Sequence, residues 1–339
     1  MKKRMFSFLL AYSLLLTGCS IQFNTENLRR QLASYFDLSE LEDSDLQTPT
    51  YIGIVVKTLS DEYFPLIKAG AERKADELGV SVAVVSSDQE DEYAQQAEII
   101  DILAAQQVDV LAFALPASEA LNKSLSAAHA AGIPLIAMDT RSSFPYCATY
   151  IGSDNYAAGV QLGQLAAERI GAGGTCVILK GQYGDEAHSE RTAGITKALL
   201  EKGVRILEID SCNSSYELAY QTAAQVLQRH PSVDIFCCTT DEMAMGALNA
   251  IEATGAATEV IGFDGILDAA ELVADGRMLY TIAQDAYHIG ELTVETACRL
   301  VDEKPVVPEI ICETDIITAD NAQAYIQSVR STLYPEENN

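Results

Sequence analysis

Tryptophan is absent from the 339 residues, and aromatic residues make up only 7%. Any stacking on a ligand therefore falls to a few well-placed tyrosines and phenylalanines. Histidine is also scarce. His129, His188, His230 and His288 are scattered, with no H-E-x-x-H pair to hold zinc. His230, just before Pro231, marks a helix end. No G-x-S-x-G elbow occurs, which removes the commonest serine-hydrolase signature. Gly171-Ala172-Gly173-Gly174 precedes a strand rather than following one. Gly181-Gln182-Tyr183-Gly184 follows a strand but lacks the lysine and hydroxyl residue of a phosphate loop. Basic residues are few, 22 against 49 acidic, for a net charge of −27. Such a surface repels phosphate backbones and excludes nucleic acid as a partner. No short-period repeat is present, which disfavours solenoids and propellers. No metal, cofactor or catalysis is expected, although carboxylates paired in a cleft would leave an enzyme open.

The start of the chain carries an address. Met1-Lys2-Lys3-Arg4 precedes an apolar run from Met5 to Leu16, the pattern of a secretory signal peptide. The run is shorter than the roughly 20 apolar residues needed to span a bilayer. Leu16-Thr17-Gly18-Cys19 resembles a bacterial lipobox, which implies cleavage after residue 18 and lipidation of Cys19. Loss of residues 1–18 removes Lys2, Lys3 and Arg4 and no acidic residue, so the mature chain is more negative still. Attachment to a membrane then rests on the lipid alone. Residues 19–48, with a short helical pattern (Leu28, Leu32, Phe36) and an acidic run from Glu40 to Asp45, are expected to be a stalk. The remaining cysteines have no ligand-like spacing. Cys176, Cys237, Cys238 and Cys312 fall in strand-like segments, where a free thiol behaves as a small apolar group.

An apolar content of 48% over this length is enough for two cores. From Pro49 onward, strand and helix patterns alternate. Strands are expected at 51–57, 82–85, 110–114 and 135–138, then at 175–179, 206–209, 235–238 and 259–263. Between the two runs, Tyr150 to Asn155 leads straight into a helix holding Ala158, Leu162, Leu165 and Ala166. The pattern predicts α/β architecture with two doubly wound parallel sheets. Asp241 stands where a helix N-cap is expected, Gly255 where its C-cap is, and Asp264 at the carboxyl edge of the strand that follows. Open parallel sheets bind ligands at that edge, which makes Asp264 a candidate, with turn capping as the alternative.

Several segments carry a resemblance to the ribose-binding-protein family of exported receptors for sugar ABC transporters. They include Thr58-Leu59-Ser60-Asp61-Glu62-Tyr63-Phe64, Gly132-Ile133-Pro134, Met138-Asp139-Thr140, Gly152-Ser153-Asp154-Asn155 and Ser189-Glu190-Arg191. Asp241-Glu242-Met243-Ala244, Gly262-Phe263-Asp264-Gly265 and Thr281-Ile282-Ala283-Gln284 continue the series. The resemblance spans about residues 50 to 318 and implies a monomeric, type 1 receptor with two lobes joined by three crossings near Ser153, Gln284 and Glu313. It implies lobes of residues 49–153 with 285–312 and of residues 154–284 with 313–330, closing over one sugar that is delivered to a membrane permease. It places Asp61, Tyr63, Phe64, Asp139, Arg191, Asp264 and Gln284 on the ligand. Three alternatives stay open: Asp61 as a helix cap, Phe64 as a core residue, and Arg191 as a solvent-facing helix residue.

Departures from the family pattern bear on which ligand. Thr140, followed by Arg141, stands where the family has arginine, and Ser189 replaces another arginine. Thr240 replaces an asparagine, and Ser214 replaces an aromatic for which nearby Tyr216 is a candidate substitute. A less basic pocket suits a different or modified monosaccharide, a polyol or a furanose-like signal molecule. A sensory input protein is the rival reading. A sugar-responsive transcription regulator of the same receptor fold would instead carry a basic helix-turn-helix before it.

Overall fold

A computed structural model describes residues 50–333. The signal segment, Cys19 and the stalk lie outside the described residues. Strands β1 (Tyr51–Val56), β2 (Ser81–Ser86), β3 (Val110–Phe113), β4 (Leu135–Met138) and β5 (Cys147–Ser153) make a first parallel sheet. Strands β6 (Thr175–Lys180), β7 (Arg205–Ser211), β8 (Ile235–Cys238), β9 (Glu259–Asp264) and β10 (Tyr280–Gln284) make a second. The chain then returns. β11 (Glu309–Cys312) adds to the first sheet beside β5, and β12 (Thr314–Ile317) adds to the second beside β10. The orders are β11-β5-β4-β3-β1-β2 and β12-β10-β9-β8-β6-β7.

The strands are short apolar runs with both faces covered, as parallel sheets require. β3, β4 and β8 are buried at every residue. Phe113, Phe236 and Phe263 are among the largest fully buried side chains, each contributing roughly 1.5–3 kcal/mol relative to exposure. Helices pack in pairs on the sheet faces: Phe64–Leu78 with Ala286–Val301, Tyr93–Ala105 with Glu119–Ala130, Asn155–Ile170 with Glu186–Glu201, and Tyr216–Arg229 with Asp241–Thr254. Side-chain oxygens of Ser118, Asp154, Asp185, Ser215 and Asp285 cap helix starts by accepting backbone N–H bonds. Gly255 ends its helix in the left-handed region, at φ 67°, as expected. Cys176, Cys237, Cys238 and Cys312 are buried free thiols within strands, again as expected.

Two expectations need correction. The second sheet is not wholly parallel, because β12 runs antiparallel to β10. The cause is topological. β11 leaves the carboxyl edge of the first sheet, and one residue later the chain enters the second sheet at its own carboxyl edge, so it must run against its neighbours. Asp241 is not an N-cap. Thr240 is, accepting from Met243 N, while Asp241 is fully buried. Its carboxylate accepts from Gly265 N (2.7 Å), Ile266 N (3.0 Å) and Thr281 Oγ1 (2.7 Å). It thereby pins the turn that follows β9. A Cβ at Gly262 would sit 2.0 Å from Asp241 Oδ1, which explains glycine inside that strand.

The pairing of helix Phe64–Leu78 with helix Ala286–Val301 is equally close. A Cβ at Gly290 would lie 2.0 Å from the Ile67 carbonyl oxygen. Gly290→Ala is therefore expected to destabilise the protein by about 1–3 kcal/mol through overpacking. Urea unfolding of the purified variant checks this, and an unchanged midpoint contradicts the packing described.

Candidate functional site

The segments leaving the carboxyl ends of β1, β2, β4, β6, β7, β8, β9 and β10 meet at one cavity, which holds about 510 Å³ of empty space with its mouth included. All seven of Asp61, Tyr63, Phe64, Asp139, Arg191, Asp264 and Gln284 line it. Lys57, Glu90, His188, Ser214, Thr240 and Glu242 line it as well.

Asp139 follows β4 directly and is held in the left-handed region, φ 58°. Its Oδ1 accepts from the Tyr63 hydroxyl (2.8 Å) and its Oδ2 from Thr140 Oγ1 (3.0 Å). Tyr63 meets Phe64 edge to face, with ring centroids 5.1 Å apart, so the two rings form one apolar wall. Asp264 ends β9 at φ 116°, a conformation that side-chain-bearing residues rarely adopt. Its Oδ1 accepts from Arg191 Nη1 (3.0 Å) and Gln284 Nε2 (2.9 Å). Both aspartates thus stand at strand ends on one cavity with positive φ.

Arg191 is buried, not solvent-facing. Its Nε donates to Asn155 Oδ1 (2.8 Å), its Nη1 also donates to the Thr239 carbonyl (2.9 Å), and its guanidinium lies 3.8 Å from the Phe263 ring centroid. Gln284 accepts from Ser153 Oγ at 2.7 Å, joining two of the segments that connect the sheets. Asp61 is not the N-cap of the following helix, a place taken by Tyr63. Its Oδ1 accepts from Tyr63 N and Phe64 N, each at 3.1 Å, while the residue also lines the cavity.

Arg141 and the suggested substitute Tyr216 fall elsewhere. Arg141 turns away from the cavity to Glu309 (2.6 Å) and Glu190 (3.4 Å) and covers the Tyr150 ring. Tyr216 is not in the lining either, and its hydroxyl meets Asn249. Ser214 leaves its place open to the small hydroxyl it carries, bonded to His188 Nε2 at 3.2 Å.

Sequence reasoning passed over Lys57, Glu90, Asp185 and His188. Lys57 sits just past β1, and its ammonium lies 2.8 Å from Asp185 and 3.8 Å from Asp139. Its position at the end of a predicted strand was a usable signal, whereas its partner in the other sheet could not be read from spacing. The ion pair holds Asp185 well below the usual carboxylate range, against burial, which alone would raise it. Burial brings His188 down to about 3, so the imidazole is neutral, its Nδ1 2.9 Å from Thr239 Oγ1. Burial pushes Asp61 up to about 8, with Glu90 and Asp264 adding repulsion. Glu90 rises to about 7 by burial despite Lys57, and Asp264 to about 6 by burial despite Arg191.

The lining can accept hydrogen bonds at carboxylates, donate them from Arg191 and Lys57, and cover an apolar face with Tyr63 and Phe64. Among the described residues, no group of three or more His, Cys, Asp or Glu side chains is arranged to hold a metal ion.

Two sheets with facing carboxyl edges, joined by three crossings around a polar cavity, define the two-lobed type 1 class of binding protein. Residues 52–305 match the periplasmic binding protein domain family, and the chain belongs to it as a ribose-binding-protein-like member. It is 30% identical over 267 residues to the ribose import binding protein of Haemophilus influenzae, covering 79% of this chain and 91% of that one. It is also 30% identical to the D-allose-binding periplasmic protein of Escherichia coli, over 75% of this chain and 86% of that one. A solute-binding protein from Actinobacillus succinogenes with bound D-allose superposes with a TM-score of 0.76 at 28% identity, covering 81% of this chain and all of that one.

The raised carboxyl groups imply a pH dependence. Between the ordinary carboxylate range and about pH 8 the folded state binds more protons at Asp61 and Glu90 than the unfolded chain does. Stability from these groups is therefore lost as pH rises through that window. His188 works in the opposite sense, but only below its ordinary value of 6.5. The melting temperature of the ligand-free protein is expected to fall from pH 6.5 to 8, and Asp61→Asn to flatten the fall. A melting temperature that climbs across this range contradicts the assignment.

Proposed function

We propose that this chain is an extracytoplasmic receptor that takes a monosaccharide or polyol into the cavity between its lobes and delivers it to an ABC permease without altering it. The carrying observation is the convergence of Asp139, Asp264, Gln284 and Arg191 on the same space as the Tyr63–Phe64 wall. A sugar presents hydroxyl edges and C–H faces, and this lining offers acceptors and donors for the first and rings for the second. Membership of the family and the relatives' names for ribose and allose support a solute of that class. We assign Asp61, Tyr63, Phe64, Asp139, Arg191, Asp264 and Gln284 to ligand contact.

The same reading assigns residues 49–153 with 285–312 to one lobe and 154–284 with 313–330 to the other, the crossings near Ser153, Gln284 and Glu313 acting as hinge. Residues 1–18 serve as signal peptide, Cys19 as lipidated anchor and residues 19–48 as stalk, which puts a monomeric receptor at the cell envelope. A ligand that touches both lobes only when they are closed shifts the population toward the closed form, the form a permease would recognise.

A thermal-shift screen over monosaccharides and polyols is the direct test, since a ligand of the native state raises the melting temperature. At least one member is expected to do so. For that ligand, Asp264→Asn is expected to weaken binding by about 1.5–3 kcal/mol in calorimetry. An unchanged affinity would remove Asp264 from the contact set.

A further inference from the structure

The charges facing the cavity do not balance. Lys57 and Arg191 are the cations, and Asp61, Glu90, Asp139, Glu242 and Asp264 the carboxylates. Both cations are already engaged: Lys57 lies 2.8 Å from Asp185 and 3.8 Å from Asp139, and Arg191 lies 3.0 Å from Asp264. His188, bonded to Thr239 and Ser214, adds no positive charge. Asp61, Glu90 and Glu242 thus have no ion-pair partner among the described residues. Asp61 has Oδ1 committed to two backbone N–H groups, and Glu90 Oε2 receives only a long bond from Gln182 Nε2, 3.4 Å. A carboxylate removed from water takes up a proton or meets a cation.

We propose that the ligand is a polyhydroxylated amine, a sugar or polyol carrying a protonated amino group, with its ammonium held by Asp61 and Glu90. This rests on the receptor reading above and narrows its substrate class. The hydroxyls of such a ligand go to Asp139, Asp264 and Gln284, and its ammonium supplies the charge the lining lacks. No metal-type ligand cluster competes for that role among the described residues.

Proton traffic follows. Asp61 is repelled by Glu90 and Asp264. Glu90 is repelled by Asp185, Asp264 and Asp139 and attracted by Lys57. Burial is the larger cause of both raised values, so in the empty cavity both hold protons up to near neutral pH, and an arriving ammonium displaces them into solvent.

The experiment pairs D-glucosamine, D-galactosamine, D-mannosamine and 1-amino-1-deoxy-D-ribitol with D-glucose, D-galactose, D-mannose and ribitol. Calorimetry at pH 7 is run in two buffers of different ionisation enthalpy. At least one amine is expected to bind about tenfold or more tighter than its neutral counterpart, a scale set by one charge-assisted contact, and to release protons. Asp61→Asn with Glu90→Gln is expected to abolish that preference. N-acetylation of the same amine removes the charge from the ligand side and needs no variant to fold. Neutral sugars that match or outdo their amines, or a preference that survives both the double variant and N-acetylation, would overturn the proposal while leaving the receptor reading standing. Failure of every amine and every neutral sugar to bind overturns both.

Discussion

Asp139 and Asp264 are carboxylates removed from water at the ends of facing strands, and much of the architecture serves to meet them. Tyr63 and Thr140 donate to one, and Arg191 and Gln284 donate to the other. Arg191 is in turn fixed by Asn155, by the Thr239 carbonyl and by the Phe263 ring beneath it. Gln284 is fixed by Ser153. Tyr63 and Thr140 follow β1 and β4 of the first sheet, while Arg191 comes from the Glu186–Glu201 helix and Gln284 from the end of β10 in the second half, so the two acceptors are each met by donors of their own half. Their positive φ values mean that the backbone, too, is held against its local preference. What results is a pair of carboxylates held in fixed positions on the cavity.

Several polar contacts run between the lobes. Lys57 reaches Asp185, Gln182 reaches Glu90 and Tyr93, Glu62 accepts from Asp268 N, and Arg141 reaches Glu190. Contacts of this kind are exchangeable for water at small net cost, unlike an apolar interface. The buried Lys57–Asp185 pair differs from the rest, because breaking it without rehydration would strand two charges.

Much of the scaffold was legible in the chain because its signals are local. Apolar runs of strand length, helical spacing and capping residues announced two parallel sheets and placed Asp139 and Asp264 at strand ends, whereas Gln284 was reached only through the family resemblance. Where the readout depends on distant partners, local signals failed. Asp241 has the right residue type and place for an N-cap, yet Thr240 takes that role and the aspartate turns inward to bind the segment after β9. β12 could not be oriented without knowing that the two carboxyl edges face each other. Lys57 and Asp185 are far apart in sequence and meet only across the lobes. Arg141 and Tyr216 have suitable chemistry near suitable positions, but neighbouring glutamates and Asn249 draw them elsewhere. Charge balance in the cavity is a property of the assembled lining, and no motif carries it.

The central claim is that one solute sits between the lobes and is bonded from both sides at once. A crystal structure grown with the sugar or aminosugar of highest measured affinity tests it most directly. The account predicts ring density in the cavity, with hydroxyls within hydrogen-bond distance of Asp139 and Asp264 and a ring face against Tyr63 or Phe64. Density for that ligand on the outer surface, with the cavity holding only water, would contradict it.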